Sequence, residues 1–140
     1  MYAKRISLSE RPLEKIRLEI DLQRRAGKYG FTPIIHDVIE TEEDISIIMD
    51  NLEAPCIADK YAVRKIPKRI WKEIHKIVRT LYQKENIEYV DITGYNFIEK
   101  ERKIYIIDFG DAFLHQKEEP INWFLDQFLK GDVGWNPDFA

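Results

Sequence analysis

Apolar residues recur at helical spacing in two long stretches and cluster in short β-rich runs between them. Leu13, Ile16 and Ile20 repeat every three to four positions, which predicts a helix running to about Arg25, with Ser9 as its cap and Gly27 and Gly30 closing it. Ile70, Ile74, Ile77 and Leu81 form the clearest stripe, with Val78 and His75 beside it, and predict a helix over Pro67–Lys84 whose other face is rich in Lys, Arg and Glu. Short strands are expected at Met1–Ile6, Phe31–Ile39 and Ile45–Met49, the last two around the acidic turn E-T-E-E-D. Pro33 lacks an N–H, so its strand should begin at or just after it. Glu53–Arg64 reads as irregular, with Cys56 as a packed small residue. Pro120–Leu129 is expected to be helical. Trp123, Phe124, Phe128, Trp135 and Phe139 are expected to fold back onto the body of the domain, docking onto a partner being the alternative.

Tyr89–Ala112 is the stretch with candidate chemistry. Asn96-Phe97-Ile98 reads as one strand, Glu99–Arg102 as a polar turn and Ile104–Ile107 as a second strand. Such a hairpin brings Asn96 and Asp108 together, close after Asp91. Two carboxylates and a carboxamide are hard oxygen ligands suited to Mg²⁺ and a phosphate. The plainer alternative makes Thr93-Gly94 a tight turn and Asp108-Phe109-Gly110 a strand end. That alternative gives no reason to set acids at the ends of apolar strands, where carboxylates are costly without a cation.

Composition narrows the options. The chain has 140 residues, 44% of them hydrophobic, which suits one packed domain. The formal charge is −3, mixed in sign, so no basic field is available to hold nucleic acid. One cysteine excludes an internal disulfide and fits a reducing compartment. No apolar run suits a signal core or a membrane span, which gives the expectation of an intracellular, cytoplasmic protein. His36, His75 and His115 have no metal-ligand spacing and are read as structural or surface residues.

The order D-I-T-G-Y-N, hairpin, D-F-G resembles the catalytic core of the protein kinase superfamily, whose pattern is H-R-D-L-x-x-x-N followed by D-F-G. Tyr89-Val90 replaces the His-Arg pair. Thr93 looks more like the small atypical kinases, the RIO type and the kinase of the KEOPS complex. The resemblance implies an α+β, kinase-like fold in one domain. Residues 1–50 would form a minimal N-lobe, and residues 51–140 a truncated, mainly helical C-lobe. It implies that Asp91 orients an acceptor hydroxyl and that Asn96 and Asp108 hold the Mg²⁺ bridging the phosphates of ATP. Y-A-K-R-I resembles the family's lysine strand, making Lys4 the phosphate lysine. Glu19, with Glu14 as second choice, would be the helix glutamate that fixes Lys4. The bland alternative has Glu14 paired with Arg17 and Glu19 with Lys15 on a solvated face. Met49, Asp50 and Leu52 fall where kinases pass from one lobe to the other and meet the adenine, with Met49 limiting the pocket's depth. Met49 also reads as a simple gap filler.

The sequence begins three residues before Lys4, which leaves no room for the family's glycine-rich loop. Nucleotide is then expected to sit on an open shelf, with weak binding and slow transfer. Two functions are therefore weighed. One is an ATP- and Mg²⁺-dependent phosphotransferase of the Ser/Thr type, with a protein as substrate. The other is an inactive pseudokinase kept as a subunit of a larger assembly such as a virus particle, located in the virion or host cytoplasm.

Overall fold

The computed structural model describes residues 1–139; Ala140 lies outside the described residues. The elements follow in the order β1 (Tyr2–Ser7), α1 (Leu13–Gly27), β2 (Ile35–Glu40), β3 (Asp44–Met49), α2 (Ile57–Tyr61), α3 (Lys68–Glu85), β4 (Ile87–Glu88), β5 (Phe97–Lys100), β6 (Lys103–Ile106), β7 (Phe113–Leu114) and α4 (Trp123–Leu129), before a 3-10 turn at Pro137–Phe139. The first three strands form an antiparallel sheet in the order β1-β3-β2. Its register sets Lys4 opposite Ile47 and Tyr2 opposite Met49. The remaining strands make two small pairs, β4 with β7 and the hairpin β5-β6. The elements make an α+β architecture, as the resemblance implies.

Two apolar clusters hold the chain. The smaller joins Ile16 and Ile20 of α1 to Ile6, Ile45, Ile47 and Met49 of the sheet. The larger is built on the α3 stripe Ile70, Ile74, Ile77, Val78 and Leu81, against Phe97, Ile104, Ile106, Phe124 and Phe128. Helix α1 belongs to both, because Leu22 and Ala26 face the larger cluster. Burial of this apolar area is the main stabilising term at about 25 cal/mol per Å². Polar ties add direction: the Tyr29 hydroxyl donates to Glu85 and the Ile106 N–H to the Phe31 carbonyl. Among the described residues no helix is long and apolar enough to cross a membrane.

Several boundaries differ from the sequence reading. Helix α1 is capped by Pro12, not Ser9. Arg11 precedes a proline and so disfavours helical backbone, which delays the start. Ser9 instead bonds the Ser7 hydroxyl within a turn. Helix α4 starts at Trp123, where Asn122 caps it by accepting from Leu125 N–H, rather than at Pro120. The segment read as irregular contains α2, and Cys56 bridges Ile98. Trp123 stands 71% exposed, against the expectation that it packs; Phe124 and Phe128 are buried, and Trp135 lies against Trp71 and Phe97.

The hairpin turn is also shorter than predicted. It consists of Glu101 and Arg102, both at positive φ (52° and 67°), the conformation that two-residue hairpin turns use. Glu99 therefore sits in β5, and its side chain is buried. Its carboxylate accepts from Lys60 (2.7 Å), the Tyr61 hydroxyl (2.7 Å) and Arg69 (2.6 Å), tying α2 and the start of α3 to the hairpin. Burial opposes the charge, but these three donors outweigh it and hold the carboxyl down at about 2. A carboxyl lowered on folding stabilises the fold above its unfolded value of 4.5, and that share is lost as pH falls toward about 2. Glu99→Gln is expected to lower stability at neutral pH and to flatten the acid limb of a pH-dependent unfolding series below pH 4.5. An unchanged acid limb in the variant contradicts this account.

Candidate active site

Lys4 of β1 points back across the sheet, and its ammonium donates to Glu19 Oε2 of α1 at 2.5 Å and to Asp108 Oδ1 at 3.4 Å. Glu19 is almost wholly buried, with 1% side-chain exposure. A carboxylate in that position needs compensating charge. Lys4 supplies one cation; Arg11 supplies a second, its Nη1 lying 2.5 Å from Glu19 Oε1. Burial pulls the Lys4 ammonium down, but Glu19 and Asp108 outweigh it and raise the group above the usual lysine value. Glu14 is exposed, and Arg17 pairs with Glu40, so neither surface pair of the bland reading forms. The Arg11 guanidinium also lies against Gly110: a Cβ built there would come within 2.6 Å of Nη1. A side chain at this position would have to displace the end of Arg11.

The loop from Tyr89 to Asn96 is held from three sides. Asn96 donates its amide to the Asp91 carbonyl at 3.0 Å, and its N–H closes a turn onto the Thr93 carbonyl. Asn136 donates to the Val90 carbonyl at 2.8 Å, and its backbone N–H to the Ile92 carbonyl, so it grips the loop on both sides of Asp91. The Gly94 carbonyl accepts from Ala58 N–H, and a Cβ on Gly94 would lie 3.1 Å from Ala58 N. The loop therefore sits close on α2, and a side chain at Gly94 would push the two apart by a few tenths of an ångström.

Tyr89 stands where the kinase pattern has His. It is wholly buried, packs edge-on against Phe109 at 5.4 Å, and its hydroxyl reaches the carbonyls of Ile107 (2.6 Å) and Asp108 (2.8 Å). Asp108 itself takes a left-handed backbone, φ 61°, which aspartate tolerates better than most residues because its short side chain can bond locally. Its Oδ1 accepts from Gly110 N–H at 3.0 Å. Burial pushes the Tyr89 phenol well up, with nearby Asp108 and Asp91 adding, so it stays a donor.

A cleft of about 350 Å³ runs between the sheet and the hairpin. It is lined by Lys4, Met49, Asp50, Leu52, Asn96 and Asp108, so six of the residues singled out from sequence meet in one space. Glu19 stands behind Lys4. Asp91 is buried beside Asn96 and does not line the cleft. Burial raises the Asp91 carboxyl; the Asn96 amide works against that, and Asp108 and Asp111 add to it. The Asp50 N–H is spent on the Ile34 carbonyl, and its carboxylate pairs with His36, which holds that carboxyl down. Gln23, which the sequence reading passed over, also lines the cleft, and its amide donates to the Pro33 carbonyl at 2.9 Å.

The donor set fits a magnesium-bound polyphosphate. With the Asn96 amide nitrogen turned to Asp91, its oxygen faces the other way, and among the described residues no hydrogen bond engages Asp108 Oδ2. No cluster of three or more His, Cys, Asp and Glu forms among the described residues. One carboxylate and one carboxamide suit Mg²⁺, which fills its remaining positions from phosphate and water. An all-protein cage is not required.

Fold and cleft together define a small α+β domain of the protein kinase-like kind. Comparison with known sequences agrees. The model of the RIO domain matches residues 37–134, and the chain belongs to this family of atypical protein kinases. It is also similar to a protein of Archaeoglobus fulgidus named "Probable serine/threonine-protein kinase BUD32 homolog", 33% identical over 110 residues. That similarity covers 78% of this chain and 51% of the relative, so the chain spans about half the length of the curated protein it matches. Lys4 and Glu19 precede the matched RIO residues, and their pairing rests on geometry alone.

Removing the Tyr89 hydroxyl takes away the one buried O–H that the Ile107 and Asp108 carbonyls share. Tyr89→Phe is expected to cost about 1–3 kcal/mol in denaturant unfolding. A loss below a few tenths of a kcal/mol contradicts the bracing role.

Proposed function

We propose that this domain is an ATP- and Mg²⁺-dependent phosphotransferase acting on a Ser/Thr-type hydroxyl, in keeping with the name its archaeal relative bears. The observation that carries the reading is Lys4. Its ammonium joins the helix glutamate to Asp108, at the edge of the cleft to which Asn96 and the Met49–Leu52 crossover also contribute.

Each residue then has a task. Lys4 donates to phosphate oxygens while Glu19 and Arg11 keep it extended. Met49 and Leu52 bound the base end of the cleft. Asn96 and Asp108 are the groups that would hold Mg²⁺. When bound, the metal ion neutralises charge that develops on the phosphates. Asp91 accepts a hydrogen bond from the acceptor hydroxyl and takes its proton as the new O–P bond forms and the bond to the leaving diphosphate breaks. Most of the contribution is positioning and electrostatics, because phosphoryl transfer needs little covalent help from the protein.

Titration calorimetry of the full chain with Mg-ATP tests the reading. Wild type is expected to bind; Asp108→Ala is expected to weaken binding by tenfold or more while leaving the fold cooperative in thermal unfolding, and Lys4→Met to weaken it as far with a lower midpoint, since Glu19 then keeps Arg11 alone. Absence of measurable binding to wild type overturns the assignment and leaves a non-catalytic binding module.

The pH dependence of transfer gives an independent check. A base must be deprotonated to act, and Asp91 lies above the ordinary aspartate value. The acid limb of the rate should therefore lie above pH 3.8. Asp111→Asn removes a negative charge that helps to raise Asp91, so the limb should move to lower pH. A move to higher pH contradicts the assignment of Asp91 as the base.

A further inference from the structure

The formal charge of −3 is an average over an uneven distribution. Between Lys60 and Lys84 stand nine lysines and arginines and one acid, Glu73. The rest of the chain carries 13 basic and 24 acidic residues. The net charge argues against a basic field over the whole molecule, not against one on this segment. Two of the nine cations, Lys60 and Arg69, pair with Glu99. Among the described residues the other seven have no carboxylate within ion-pair distance.

Helix α3 sets four of these in a row. Lys68, Lys72, Lys76 and Arg79 are exposed, and at 3.6 residues per turn they fall within about 80° of one another, opposite the apolar stripe, along about 16 Å of the axis. An open groove on this face is lined by Lys72, Lys76 and Arg79, with Thr80 and Gln83 adding polar groups and Glu73 the one acid. Local physics disfavours the row. Like charges four residues apart repel on a helix. Cations in a first turn oppose the helix dipole, yet α3 opens on Lys68 and Arg69 with no acid in that turn. A face that meets only water is expected to alternate its signs. Local rules broken without compensation inside the chain mark a functional surface.

The chemistry of the partner follows from what the face lacks. Between Lys68 and Lys84 no large apolar or aromatic side chain stands exposed. A protein partner would find no apolar centre to cover, and a base would find no ring to stack on. A row of cations alone matches a row of phosphates. We propose that the outer face of α3 binds the phosphate backbone of a nucleic acid, RNA or DNA, without reading its sequence. No residue of α3 lines the cleft, so this surface is separate from the phosphotransferase site and does not depend on that reading.

Fluorescence anisotropy of the full chain with labelled single-stranded RNA, single-stranded DNA and duplex DNA of mixed sequence tests the proposal. With four phosphates neutralised, affinity should fall about 50-fold for single strands and about 150-fold for duplex between about 50 and about 200 mM salt. The triple variant Lys68→Gln, Lys72→Gln, Lys76→Gln should bind more weakly and lose only about threefold over that range. Arg79 is left in place because its guanidinium also donates to the Leu129 carbonyl. The triple variant should unfold at the same temperature as wild type or higher, since repulsion along α3 is relieved. A control with the same change in charge, Lys15→Gln, Arg24→Gln, Lys117→Gln, should keep the wild-type affinity and salt dependence. Binding to RNA, to DNA or to both supports the proposal and says which backbone is held. Four results overturn it: no binding of any of the three by wild type at low salt, an unchanged salt dependence in the α3 variant, an equal loss in the control, or binding of poly-glutamate or anionic lipid vesicles as tight as that of nucleic acid.

Discussion

A carboxylate with almost no access to water sits at the centre of this molecule. Glu19 lies on α1, between the sheet and the larger apolar cluster, and it is tolerable there only because two cations reach it. Lys4 comes from the first strand and Arg11 from the turn after it. Each of those cations touches something else: Lys4 reaches Asp108, and Arg11 lies on Gly110. The demand of one buried charge therefore fixes β1, the following turn, α1 and the segment after the hairpin relative to one another. Removing one partner from such a cluster leaves an uncompensated charge, which costs more than the pair itself is worth.

The same economy governs the catalytic loop. Its backbone lies outside regular structure, so its carbonyls need partners from elsewhere. Asn96 takes that of Asp91 and Asn136 those of Val90 and Ile92, while Tyr89, at the start of the loop, holds the Ile107 and Asp108 carbonyls of the neighbouring segment. With its carbonyls occupied, the loop is stiff without being helical or extended. Stiffness of this kind is what positioning catalysis asks of a scaffold.

How much of this the sequence carried depended on the distance between partners. Asn96 and Asp108 were legible because a short hairpin joins them, and the α3 stripe because its period is local. Lys4 and Glu19 were legible only through resemblance, since nothing in their own neighbourhoods separates a buried pair from solvated charges. Arg11, Tyr89, Gln23 and Asn136 were not legible as site residues. Their partners are backbone carbonyls or a carboxylate on another element, 8 to 46 residues away, and no spacing rule links such a side chain to its partner. Glu99 was misread as a turn residue because its neighbours are charged; its three donors come from Lys60, Tyr61 and Arg69. Trp123 was misread because apolar character was taken to mean burial, a rule that runs in one direction only.

The grip of Asn136 on both flanks of Asp91 has a consequence in time as well as in space. Its side chain donates to the Val90 carbonyl and its N–H to that of Ile92, and both donors are synthesised after every motif residue. While the chain is being synthesised, every nascent length that stops short of Asn136 carries the motif residues but not their anchor. The loop thus gains its full set of partners only once Asn136 has been added to the chain.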